Sequence, residues 1–69
     1  MKDYQQRVVD EKKELDGRLA KLDDFIENAP LFGTVDPPEQ YRLRKQRALM
    51  RDLSELLGDR IAAFPKEVA

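Results

Sequence analysis

Carboxylates stand together at Asp10-Glu11, Glu14 with Asp16, and Asp23-Asp24, and paired acids of this kind can hold a divalent cation or divide acid and base work. The competing reading is a solvated helix face, because lysines such as Lys12 lie four residues from acids such as Asp16 and would pair with them. The remaining catalytic chemistry is thin. The chain has 0 His and 0 Cys, which removes the commonest general base, the thiol nucleophile, and the nitrogen and sulfur ligands of a structural zinc. A ferritin-like Glu-x-x-His site is likewise impossible. The sequence nominates no catalytic residue, no metal ligand and no cofactor, and the expectation is a protein that is not an enzyme.

Two other groups of residues point to recognition. Arg44, Arg47 and Arg51 recur at i, i+3 and i+7, which lines up three guanidinium groups on one helix face, opposite an apolar stripe and beside Tyr41 and Ala48. That face can read phosphates, dock an acidic protein surface through bidentate pairs, or be balanced by acids of the first helix. A net charge of −1 gives the whole molecule no strong pull toward nucleic acid or anionic lipid, so a nucleic-acid partner is disfavoured.

The other group is an apolar connector, residues 29–38, in which Leu31, Phe32 and Val35 either plug the end of a core or grip a partner. Gly33 offers a positive φ there for a defined bend.

The elements that position these residues are two helices. Asp3 with Gln6 has the spacing of an N-cap and its reciprocal partner, and Val8, Leu15, Leu19, Leu22 and Ile26 then fall on one stripe, predicting a helix over about 3–28. Pro30 ends it, because proline cannot continue the ladder and pushes its predecessor out of the α region. Asp36-Pro37-Pro38-Glu39 reads as N-cap, first-turn proline and capping box, opening a second helix over about 37–64 that stops before Pro65. Residues 65–69 are expected to fray.

On the second helix Leu49, Met50, Leu53, Leu56, Leu57, Ile61 and Phe64 share one side with Leu43. Projected at 100° per residue that stripe spans about 140°, more than one antiparallel neighbour covers. The fold class is therefore all-α, a two-helix antiparallel hairpin whose surplus apolar face pairs with a second copy to build a four-helix bundle. Small size argues the same way, since a 69-residue chain without a disulfide or a structural zinc needs oligomerisation for reinforcement. A symmetric homodimer is the default. No apolar run approaches the roughly 18 residues of a membrane span, and the first twenty residues are charged throughout, unlike a signal peptide. A soluble single domain, residues 1–69, made and kept in a cytoplasm, with no membrane partner, is expected.

Residues 3–12, 15–22 and 25–26, together with 42–46 and 56–64, resemble a family of small helical bacteriophage proteins, among them anti-activators of quorum sensing. The resemblance implies a dimeric inhibitor acting in the host cytoplasm. It also implies two kinds of partner, a host transcription activator of LuxR type and the type IV pilus assembly ATPase. It assigns no residue to either. From the residues themselves, Leu31, Phe32 and Val35 are the expected apolar anchors, with Tyr41, Arg42 and Arg44 as polar partners at the same end of the hairpin. A nucleic-acid-binding or architectural phage protein using the basic face, and a structural phage component that assembles through its stripes, are the alternatives.

Overall fold

The computed structural model describes residues 2–65. It forms two α-helices, α1 (Asp3–Asn28) and α2 (Pro37–Ala62), joined by a 3-10 helix at Pro30–Thr34. Tyr4 meets Phe64, Lys12 meets Ser54 and Asp23 meets Arg47, so the helices run antiparallel as a hairpin. The fraying expected from residue 65 falls, from 66 onward, outside the described residues. No helix among the described residues is long and apolar enough to cross a membrane.

The helix ends follow the proline and cap signals in position more than in chemistry. α1 begins at Asp3, with Lys2 rather than Asp3 as N-cap. Lysine carries no acceptor, so only the reciprocal half of a box forms: the Lys2 backbone N–H donates to Gln5 Oε1 at 2.8 Å, and Gln6 turns outward to Asp10 at 2.9 Å. Gln5 is buried as a result, and Tyr4 is mostly exposed with its ring edge-on to Phe64 at 6.1 Å. Ala29 is extended ahead of Pro30, as the steric rule for a residue before proline requires. Asp36 is the N-cap of α2 and Pro37 its first residue, but the capping box does not close. Glu39 gives its carboxylate to Arg42 Nε at 2.7 Å instead, and the Asp36 side chain makes no cap bond. α2 ends at Ala62, two residues short of the expected limit, in a turn held by Phe64 N–H to Ile61 O at 3.1 Å ahead of Pro65.

The molecule measures 55 × 15 × 15 Å, and its radius of gyration of 15.9 Å exceeds the roughly 11 Å of a compact globule of this length. One hairpin is a single layer, so few side chains can be enclosed on every side. Val8, Ile26, Phe32 and Leu57 are the buried apolar residues. Leu15, Leu19, Leu22, Met50, Ile61 and Phe64 are half-buried. Leu49, Leu53 and Leu56, grouped with the core by periodicity, are exposed on the hairpin. Their part of the stripe turns past the edge that α1 covers. On the other edge of the helix contact the interface is polar: Lys12 Nζ donates to Asp16 Oδ2 at 2.8 Å and to Ser54 Oγ at 3.0 Å, and Ser54 Oγ donates to Asp16 Oδ1.

Two predictions arise from these helices. A β-carbon at Gly17 would meet nothing within 4 Å, so Gly17→Ala should stabilise the protein by about 1 kcal/mol through helix propensity alone. Thermal unfolding should then shift upward by about 4–8 °C. The Asp16 carboxyl is held below its ordinary value of 3.8, first by the hydrogen bond from Lys12 and then by that from Ser54. Its contribution to stability is present above that ordinary value and fades as pH falls through the lowered one. Asp16→Asn should remove this part of the acid dependence, read as a smaller loss of helical circular dichroism midpoint on acidification.

Candidate partner-binding surface

The connector is a built structure. Pro30 opens a 3-10 helix in which Phe32 N–H bonds Ala29 O and Val35 N–H bonds Phe32 O, each at 3.1 Å, while Thr34 Oγ1 donates to Leu31 O at 2.7 Å. Gln40, on the first turn and a half of α2, reaches back and donates Nε2 to Phe32 O at 3.1 Å and to Val35 O at 2.8 Å. Gly33 has no positive φ; a 3-10 helix is right-handed and does not call for one.

This geometry separates the connector's apolar residues. The Phe32 ring turns inward, 5 % exposed, edge-on to Phe25 with centroids 5.7 Å apart, so it plugs the end of the hairpin. A partner could reach it only by opening the loop. Leu31 is 68 % exposed, Tyr41 is 65 % exposed, and Val35 is half-buried between the two helices' ends. Arg42 is exposed and paired with Glu39. The Arg44 guanidinium lies 5.0 Å from the Phe32 ring centroid, a cation–π contact.

The three arginines expected on one outward face do different things. Arg47 Nη1 reaches Asp23 Oδ1 at 3.0 Å and Glu27 Oε1 at 2.5 Å, with only 15 % of its side chain exposed, and Arg51 Nη2 reaches Asp23 Oδ1 at 2.8 Å. Glu27 first, then Asp23, raises the Arg47 pKa above its usual value. These two arginines are balanced by acids of α1, which leaves Arg44 and its neighbour Lys45 with no acidic partner among the described residues. A projection of α2 alone does not say where α1 lies against it, and that is why the division escaped the sequence.

Sequence reasoning also passed over Gln40, the clamp of the connector. Its signal was a polar residue on the inward side of α2, four residues after an N-cap. Gln40→Ala should remove a second donor from Phe32 O, which keeps the Val35 N–H, and leave Val35 O without its side-chain donor, at a cost of about 1–2 kcal/mol measurable in urea unfolding.

A second surface lies on α2, a groove of about 320 Å³ lined by Arg42, Lys45, Gln46, Leu49, Met50 and Leu53. With Leu56 at 54 % and Leu49 at 59 % exposure, it continues as a row of leucines down the helix. At 100° per residue, that row and the Tyr41–Arg44–Lys45 group sit about 90° apart on α2. One helix thus presents two exposed faces, with Lys45 at the border between them.

A single-layer hairpin with an uncovered leucine row and an apolar and basic connector end has the form of a small helical binding protein. The chain belongs to the Sequestin family, whose model matches residues 2–63, and the family name is that of a binding or sequestering protein. No curated protein and no solved structure matches the chain at a significant level.

Proposed function

We propose that the protein is a phage-encoded inhibitor that sequesters host proteins, foremost a quorum-sensing transcription activator of LuxR type, with the type IV pilus assembly ATPase as a second target. It acts in the host cytoplasm, by binding and without catalysis, as a homodimer. The observation that carries the reading is the connector end: Leu31 and Tyr41, both about two-thirds exposed, stand at the same end of the hairpin as the Arg44 guanidinium, which has no acidic partner among the described residues. Exposed aromatic and apolar side chains beside an arginine are the composition of protein-binding hot spots. Arg47 and Arg51 are already paired within the chain, which weighs against a phosphate-reading face.

The homodimer rests on the leucine row of α2. Arg42 precedes that row and Asp52 and Asp59 follow its start, so two antiparallel copies of α2 set opposite charges against each other. Covering Leu49, Leu53 and Leu56 would complete the four-helix bundle.

The test is co-purification of the activator with the wild-type protein and with a Leu31→Asp, Tyr41→Ala variant, alongside the activator's DNA binding. The wild type should retain the activator and release it from DNA, and the variant should bind at least about 10-fold more weakly, equivalent to some 1.4 kcal/mol. A wild-type protein that fails to retain the activator overturns the target; a variant that binds as well as wild type overturns the surface.

A further inference from the structure

We propose that the Phe32 ring is a platform that holds the Arg44 guanidinium ready for a carboxylate on the bound protein, so that the plug of the hairpin is also a positioning residue of its binding surface. This rests on the reading of the connector end as a protein-binding surface. The ring is well fixed. It is buried, stands edge-on to Phe25 at 89°, and belongs to a loop whose Phe32 and Val35 carbonyls are both tied to Gln40.

A guanidinium lying over a ring keeps the N–H groups at its edge available, and those are the groups that form a fork with a carboxylate. Arg44 differs from its neighbours on this point. Arg42, Arg47 and Arg51 each have a carboxylate within 3.0 Å, whereas Arg44 has the ring and no acid among the described residues. Stacking removes rotamer freedom before the partner arrives, which lowers the entropy lost when the pair forms. Lys45 adds a second positive charge beside it. Tyr41, one helical turn before Arg44, supplies an exposed aromatic rim. A single unpaired guanidinium, at an end that also exposes Tyr41 and Leu31, fits a carboxylate set in a protein surface better than a run of phosphates, which would call for the row of arginines that α1 has neutralised.

The experiment uses the free full-length protein and follows the arginine Nε–H resonances while a hexaglutamate peptide is added, with inorganic phosphate in a parallel titration. In the wild type, Arg44 Nε–H should shift saturably with the peptide and more than Arg42. In Phe32→Leu, which fills the plug without a ring, the apparent affinity should fall about 3-fold with circular dichroism unchanged. Arg44→Lys, at an exposed position where folding is not at stake and followed by the backbone amide resonances of residues 44 and 45, should bind the peptide at least about 3-fold more weakly while keeping the charge, and Phe32→Tyr should behave as wild type. Should Phe32→Leu fail to fold, the Arg44→Lys and Phe32→Tyr pair decides. The proposal is overturned by an unresponsive Arg44, by a Phe32→Leu or Arg44→Lys protein that binds as wild type, or by phosphate binding more tightly than the peptide. Because this titration involves no host protein, a failure of the activator to co-purify would sink the target assignment and leave the platform standing or falling on its own.

Discussion

Leu57→Ala should abolish the cooperative unfolding of this protein or lower its midpoint by at least about 10 °C. Leu57 is 1 % exposed, the one fully enclosed side chain among the described residues, and truncating a buried leucine to alanine costs about 2–5 kcal/mol in lost burial and residual cavity. A domain of this size has only a few kcal/mol in hand. Three other buried apolar residues, Val8, Ile26 and Phe32, cannot make good that loss, and they lie in α1 and the connector. The neighbouring Leu56→Ala is the control: Leu56 is exposed on the hairpin, so its effect on the isolated fold should stay within about 0.5 kcal/mol. Thermal melts of the two variants at low protein concentration check the contrast. Equal effects would mean that the α2 stripe packs in a different rotation against α1.

Leu53→Glu should convert the proposed dimer into a monomer. Burying a leucine is worth about 1.5–3 kcal/mol, and in a two-fold interface each substitution acts twice. The loss is then about 3–6 kcal/mol, or roughly 10²- to 10⁴-fold in dissociation constant, before any penalty for facing two carboxylates into an apolar seam. Leu53 does not serve the hairpin's own core, so helical content should persist while sedimentation gives the monomer mass. The wild type should also melt at temperatures that rise with protein concentration, and the variant should not. A Leu53→Glu protein that sediments as wild type would place the contact elsewhere.

The helices and their limits were legible because prolines act locally. Pro30 and the Asp36-Pro37 step fall where the structure breaks and restarts the chain. The chemistry of the ends was less legible, because a capping box needs both side chains to remain available, and Arg42 draws Glu39 away from Asp36. The connector's residues were readable as apolar but not as a 3-10 helix, since that geometry depends on Gln40 closing it from the next element. The division of the arginines depended on a fact no single helix contains, the side on which α1 lies, and so Arg47 and Arg51 reach Asp23 while Arg44 turns to Phe32. Lys12 and Asp16 were legible as a pair four residues apart, and their meeting with Ser54, 42 and 38 residues further on, was not.

The polar edge of the helix contact, where Lys12, Asp16 and Ser54 close on one another and Arg47 and Arg51 close on α1, has a consequence for stoichiometry. Its donors and acceptors are mutually engaged, and it offers an incoming copy no apolar purchase. A plate that adheres on one side only reaches its final size after a single association. The same two helices with leucines on both edges would stack without end into a fibre, whereas the proposed association through one edge would terminate at two and leave both connector ends open to solvent.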